Sequence, residues 1–180
     1  MTEWHWLKEN PFGLVKQPKP AKPRSRVITQ KEVEMILHTC GYGSGTLTAQ
    51  VGDVMLFALE TAMRIGEICG LTWEHVHARY VHIPETKNGT TRNVPLSSKA
   101  KVLLSDQTKE NPVFGMNTAQ ADALWRKCRD RALIKNLHFH DTRRTALTRL
   151  AQKFSGHRDL RILQNVYYQP TIDDLADKLN

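Results

Sequence analysis

The chain has 180 residues and a formal net charge of +8, from 26 lysines and arginines against 18 acidic residues. This length suits one domain with an appendage better than two full domains. The three cysteines are widely spaced and form no C-x-x-C pair, which argues against a disulfide framework or a cysteine zinc site and favours a reducing, cytoplasmic location. No apolar run reaches the ~18 residues of a membrane helix, so neither a span nor a signal peptide is predicted.

The first 31 residues are basic, with seven lysines and arginines against two acidic residues. Four of the eight prolines fall within residues 11–23, and the segment PKPAKPRSR predicts a stiff, extended linker. Such an arm is commonly a solvated linker, but beside a phosphate-binding domain it would follow a nucleic-acid backbone. The candidate phosphate-binding residues of this arm are Lys19, Lys22, Arg24 and Arg26.

Two helical patterns follow the arm. Thr29 and Glu32 have capping-box spacing, which predicts a helix over about 30–38. After a break at GYGSG, apolar residues recur at helical spacing over about 47–63, which predicts a buried helix with Arg64 near its end. A second, short helix is predicted in GEICGLTW.

The middle of the chain predicts a hairpin. RYVHIPETKNGTTRNVPL alternates in part and contains the turn pair Asn88 and Gly89, which places Lys87 beside a β-turn. Further apolar stripes predict one helix through 121–132 and another through 146–151. The predicted fold is mainly α with a small antiparallel β-sheet, an α+β class.

Basic residues within these helices suggest a phosphate site. In HDTRRTALTRL, His140 and Arg143 are three positions apart, so they lie about one helical turn apart on one face and could grip a phosphate together. Arg64 follows apolar residues that should be buried, where an unpaired arginine would be unfavourable, and this favours a functional role. Glu67 is expected to orient Arg64 or a backbone amide rather than to react.

These residues fall into one ordered pattern. The chain contains Arg…Lys…His-x-x-Arg…Gly-His…Tyr at Arg64, Lys87, His140, Arg143, His157 and Tyr167. With this pattern, residues 48–180 or so resemble the catalytic domain of the tyrosine recombinases, the phage-integrase family. The resemblance implies a catalytic domain over 27–180, preceded in 1–26 by the remnant of a core-binding domain and the basic linker. It also implies that the chain is a fragment or a truncated form.

The resemblance implies a phosphodiester exchange that needs neither metal nor another cofactor. A tyrosine attacks the scissile phosphate, forms a 3′-phosphotyrosyl link and releases a 5′-hydroxyl, and the step later reverses onto a new strand. Arg64 and Arg143 would clamp the non-bridging oxygens, and Lys87 would protonate the leaving oxygen. His140 would hydrogen-bond the phosphate or move a proton, and His157 would donate to a non-bridging oxygen.

Two tyrosines compete for the nucleophilic role. Relative to His157, the family usually places its nucleophile one position earlier than Tyr167. The trailing Pro170 matches a Tyr-x-x-Pro ending and favours Tyr167 over Tyr168.

The chain departs from the family pattern between Arg143 and His157. The interval is 14 positions, shorter than usual by most of a helix. Because ten helical residues span about 15 Å, a true deletion could keep His157 and Tyr167 from reaching the other site residues. An omitted stretch of sequence is the alternative.

The resulting hypothesis is a bacterial or phage-encoded, cytoplasmic site-specific recombinase of double-stranded DNA, a monomer in solution and a tetramer on DNA, with no membrane partner. Arg144 is a further candidate DNA contact. Residues 171–180 predict a short helix; the resemblance implies that it docks on a neighbouring protomer, and the alternative is that it packs on its own domain. A type IB topoisomerase uses a similar residue set, although the GLTW and VPLS contexts favour an integrase. The other alternative is a catalytically impaired DNA-binding remnant.

Overall fold

The computed structural model describes residues 24–84 and 91–155, with side chains as far as Gln152. Within these ranges the chain forms helices and one two-stranded antiparallel sheet, and so the mainly α fold with a small sheet is confirmed. The elements are α1 (Gln30–Cys40), α2 (Leu47–Thr61), α3 (Ile65–Cys69), β1 (Tyr80–Ile83), β2 (Arg92–Pro95), α4 (Ser98–Ser105), α5 (Thr118–Arg131) and α6 (His140–Ser155).

Helix α1 begins where the sequence predicts. The Thr29 side chain accepts a hydrogen bond from the Glu32 amide, and the Glu32 side chain accepts one from the Thr29 amide, so the capping box is present. The helix ends at Gly41, whose φ of 68° is the left-handed conformation that glycine adopts readily.

Helix α2 is the centre of the fold and packs against α1, α3, α4, α5 and α6. Apolar residues occupy most of its circumference, and Val51, Val54 and Met55 are fully buried, as expected for a helix that other elements surround. It ends at Thr61, and Ala62 takes a left-handed conformation with φ of 53°. Arg64 lies three positions beyond the end of this helix, close to where the sequence predicts it, and it is the N-cap of α3.

The two predicted strands pair as an antiparallel hairpin, in a register that places Ile83 opposite Arg92 and Tyr80 opposite Pro95. The predicted turn, with Lys87, lies outside the described residues. The sheet is followed by α4, which the sequence analysis did not predict; the Ser97 side chain caps it by accepting from the Ala100 amide.

The two later apolar stripes are both helical. On α5, Trp125 is buried and meets Phe139 edge to face, with ring centroids 5.2 Å apart. This contact holds Phe139 in place directly before α6, and α6 begins at the next residue, His140. Among the described residues, no helix is both long and apolar enough to cross a membrane. The predicted helix at 171–180 lies outside the described residues.

Candidate active site

Arg64 enters the site through the sharp change of direction between α2 and α3. The left-handed Ala62 ends α2, and Arg64 then adopts an extended conformation as the N-cap of α3. Its side chain is 34% exposed, and its Nη1 atom donates to Glu67 Oε1 at 2.8 Å. The guanidinium is thus held at the surface of a buried segment, within reach of solvent.

Glu67 joins this arginine to the hairpin. Its Oε2 atom accepts from the Arg64 backbone amide at 2.8 Å and from Arg92 Nη2, at the start of β2, at 2.6 Å. Burial alone would raise the pKa of Glu67, but these hydrogen bonds and that from the Arg64 side chain lower it below its ordinary value. Glu67 is therefore a carboxylate that orients both Arg64 and its amide, as the sequence predicts.

His140 and Arg143 lie on the first turn of α6, which packs against α2. Arg143 Nη1 donates to the carbonyl oxygen of Ala62, the residue that ends α2. Burial lowers the pKa of His140, and the positive charges of Arg143 and Arg144 lower it further. An imidazole with a lowered pKa is neutral at pH 7, where it can accept a proton or donate one hydrogen bond.

Arg64, His140 and Arg143 line one open cleft of about 720 Å³. The fold therefore brings together three of the predicted site residues, which are far apart in the sequence. The cleft is also lined by residues of the segment after α3 and of the hairpin, which include Thr72, Glu74, His75, His82, Ile83 and Pro84. The catalytic roles of the three basic residues stay predictions.

Several other predicted site residues fall outside the described ranges. They are Lys19, Lys22, Lys87, His157, Tyr167 and the competing Tyr168. Pro84, the last described residue before the segment that contains Lys87, lines the cleft.

The other basic candidates make contacts within the domain. Arg24 forms an ion pair with Asp141, and Arg26 forms one with Glu32. Arg144 is half-buried, and its Nε atom is buried without a hydrogen-bond partner. The DNA-binding roles of Arg24, Arg26 and Arg144 stay predictions.

Sequence reasoning did not single out Arg92, His75 or His82. His75 Nδ1 is hydrogen-bonded to the Thr72 hydroxyl at 2.8 Å, and His82 Nδ1 is hydrogen-bonded to Asn93 Oδ1 at 2.7 Å. Arg92 stands inside the predicted hairpin segment RYVHIPETKNGTTRNVPL, and this was the available signal for it. The two histidines carry no signal of this kind, because their position at the cleft depends on the path of the chain after α3.

The comparisons with known proteins identify the family to which this chain belongs. The sequence model of the phage integrase family matches residues 26–172. The chain therefore belongs to the phage integrase family, the tyrosine recombinases.

Relatives at the sequence level are recombinases. A Haemophilus influenzae protein described as an integrase/recombinase is 42% identical over 195 residues, covering 97% of this chain and 52% of the relative. A second such protein of that organism is 37% identical, covering 100% of this chain and 64% of the relative. The shufflon-specific DNA recombinase of Escherichia coli is 35% identical, covering 91% of this chain and 45% of the relative. The chain thus spans about half to two thirds of the length of these relatives.

Solved structures show the same fold. The catalytic core of lambda integrase matches with a TM-score of 0.60 at 19% identity, covering 72% of this chain and 84% of that one. The Tn1549 transposon integrase, solved in complex with circular intermediate DNA, matches with a TM-score of 0.59 at 17% identity, covering 99% and 73%.

Proposed function

We propose that this chain cleaves and rejoins double-stranded DNA through a 3′-phosphotyrosyl intermediate, as the catalytic domain of a site-specific recombinase. The observation that carries the proposal is the convergence of Arg64, His140 and Arg143 on one cleft. Membership of the phage integrase family supports it.

The two arginines would neutralise the phosphate. A guanidinium stays charged at any working pH and can donate two parallel hydrogen bonds to phosphate oxygens. Arg64 and Arg143 approach the cleft from α3 and α6, and so they can grip different non-bridging oxygens of one phosphate. Charge that develops on these oxygens in the transition state would meet donors that are already in place.

The reacting groups complete the scheme. The Tyr167 oxygen forms a bond to phosphorus while the bond from phosphorus to the 5′ oxygen breaks, and Lys87 supplies the proton to that oxygen. The neutral His140 either accepts the tyrosine proton or hydrogen-bonds the phosphate, and His157 donates to a non-bridging oxygen. The bond energy is kept in the phosphotyrosyl link, and so the reverse step needs no ATP.

The proposal extends to the assembly. Residues 27–180 form the catalytic domain and 1–26 the linker with the end of a core-binding domain, in a cytoplasmic protein that is monomeric alone and tetrameric on DNA. Support comes from the shared fold with lambda integrase, which is solved bound to DNA and as a tetramer on a Holliday junction and is 18% and 16% identical to this chain in those two structures.

A second candidate function is a DNA-binding remnant that has lost catalysis. The short interval between Arg143 and His157 favours it. The alignment with one Haemophilus relative extends over 196 positions against the 180 residues of this chain, which leaves about 16 positions of the relative without a counterpart here.

A suicide DNA substrate, whose nick lets the cleaved end diffuse away, separates the two functions. We expect the wild-type protein to form a covalent adduct, and Tyr167→Phe to bind the same DNA without forming it, because the nucleophilic oxygen is absent. Tyr168→Phe is the matched control and should keep the adduct. An adduct that persists in Tyr167→Phe and vanishes in Tyr168→Phe would reverse the assignment.

Absence of an adduct in the wild-type protein, with DNA binding intact, would identify the remnant. If an adduct forms, exchange between two DNA sites distinguishes a recombinase from a topoisomerase, which would only relax supercoiled DNA.

A further inference from the structure

Arg24, at the end of the basic linker, is bound to the start of the helix that carries His140 and Arg143. Its Nη2 atom donates to Asp141 Oδ2 at 2.9 Å, and its Nε atom approaches Asp141 Oδ1 at 3.4 Å. The same guanidinium donates to Asn136 Oδ1 at 2.9 Å and to the Asn136 carbonyl oxygen at 3.0 Å. All three of its nitrogens are thus engaged by the segment that leads into α6.

The carboxylate that Arg24 contacts is buried. The Asp141 side chain is 2% exposed, whereas that of Arg24 is 40% exposed. Asp141 Oδ2 also accepts from the His138 amide at 2.9 Å, and so the carboxylate caps the first turn of α6. Burial alone would raise the pKa of Asp141, but the hydrogen bonds from Arg24 and His138 lower it. A buried carboxylate without its cation would be strongly unfavourable at this point.

A second bond attaches the linker to the same turn. The Ile28 amide donates to Thr145 Oγ1 at 2.9 Å, and that hydroxyl donates to the Asp141 carbonyl oxygen at 2.7 Å. Ile28 is itself buried in the core, at 3% exposure. Residues 24–28 therefore meet α6 at the side chain of Asp141 and, through Thr145, at its carbonyl oxygen. The neighbours of Asp141 in this turn are His140 and Arg143.

Arg26 provides an internal comparison. It lies two residues further on and pairs with Glu32 in the first turn of α1, not with α6. The two arginines give the linker equal charge, but only Arg24 reaches the helix of the active site. A DNA-binding role alone would not distinguish them.

We propose that Arg24 is a positioning residue for the DNA-cleavage reaction: by neutralising Asp141 it sets the first turn of α6 and hence the placement of His140 and Arg143. This inference rests on the proposed function. Without Arg24, the buried carboxylate must find water or another donor, and the turn has to shift to reach one. Shifts of about 1 Å in catalytic groups are enough to reduce rates greatly.

The test compares Arg24→Ala with Arg26→Ala, each of which removes one linker charge. Both should weaken DNA binding alike and lower the salt dependence of the affinity alike. At saturating DNA, single-turnover adduct formation should be about tenfold or more slower in Arg24→Ala than in Arg26→Ala. Equal cleavage rates in the two variants would overturn the proposal.

Rescue separates positioning from a general loss of stability. The double variant Arg24→Ala with Asp141→Asn keeps an acceptor for the His138 amide and removes the buried charge, so its cleavage rate should recover toward wild type. A double variant as slow as Arg24→Ala would contradict the mechanism.

Amide hydrogen exchange of residues 138–145 gives a readout that does not depend on activity. Exchange should accelerate in Arg24→Ala, return in the double variant and stay unchanged in Arg26→Ala. Unchanged exchange in Arg24→Ala would overturn the proposal even if the wild-type protein forms no adduct. Failure of the proposed function alone would leave this exchange pattern in place.

Discussion

The two arginines that line the cleft are held by different kinds of group. Arg64, on the α3 side, is bound by the carboxylate of Glu67, which it shares with Arg92. Arg143, on the α6 side, donates to the main-chain carbonyl of Ala62. The carboxylate offsets part of the positive charge of Arg64 and Arg92, and the carbonyl orients the Arg143 side chain.

This difference divides the electrostatics of the cleft. On the α3 side, one negative charge serves two guanidinium groups. Among the charges that lower the pKa of His140, Arg143 has a larger effect than Arg144, and Arg64 has the smallest. We infer that the arginines of α6 supply more of the positive electrostatic field at His140 than Arg64 does. The position of Arg64, in turn, depends on the Glu67 side chain, which can be mutated or protonated.

The largest effect should come from removing either arginine. Arg64→Ala or Arg143→Ala should each raise the barrier to cleavage by about 3 kcal/mol or more, by analogy with loss of a preorganised oxyanion donor. DNA affinity should weaken far less. Single-turnover adduct formation at saturating DNA measures the first quantity and titration the second.

Arg149→Ala is the control for this prediction, because Arg149 is an exposed arginine of the same helix, α6. If cleavage falls only in proportion to DNA affinity in Arg64→Ala and Arg143→Ala, both residues merely position DNA.

Glu67→Gln should have the next largest effect and should act on the α3 side alone. The amide keeps the shape of the side chain but loses the charge-assisted hydrogen bonds, which are worth about 1.5 to 3 kcal/mol each. We expect adduct formation to slow by about tenfold, a change of roughly 1.4 kcal/mol, with DNA affinity nearly unchanged. Glu74→Gln is the control, since that side chain lines the same cleft but is 73% exposed. A Glu67→Gln protein with wild-type cleavage would show that Arg64 holds its position without the carboxylate.

The parts of this site that the sequence could predict are those encoded locally. His140 and Arg143 are three positions apart, so any helix through them places both on one face. The apolar surroundings of Arg64 and the acidic residue three positions on likewise indicated its pairing with Glu67. The helices were predictable where a cap or an apolar stripe marks them, as at Thr29 for α1.

The parts that could not be predicted depend on contacts between distant segments. Arg92 is 25 positions from Glu67, and Arg24 is 117 positions from Asp141. No periodicity in the sequence relates such pairs, and a basic arm by itself suggests only affinity for phosphates. The left-handed conformation of Ala62, which separates α2 from α3, was also not predictable, because alanine gives no signal of it.

Acid should weaken the α3 side through Glu67. The pKa of this carboxyl is lower in the folded protein than its ordinary value of 4.5. Its ion pairs therefore stabilise the fold fully at pH values above 4.5, and this stabilisation is lost as the pH falls through the lowered pKa. The difference in unfolding free energy between wild type and Glu67→Gln should therefore be constant near neutral pH and shrink below about pH 4.5. Urea unfolding at a series of pH values measures it. Other carboxylates titrate in both proteins and cancel in the difference, so a gap that stays constant into acid would contradict the lowered pKa.

The smallest effect should be on the titration of His140. Burial lowers the pKa of this imidazole, and the charge of Arg143 lowers it further. In Arg143→Gln the pKa should rise but stay below the ordinary value of 6.5, because the burial remains. Arg64→Gln should raise it less, since Arg64 contributes least among the arginines and is paired with Glu67. The imidazole signals in an NMR titration of the DNA-free protein measure each pKa, with Arg149→Gln as the control. A larger rise in Arg64→Gln than in Arg143→Gln would show that the α3 side, in spite of its carboxylate, dominates the field at His140.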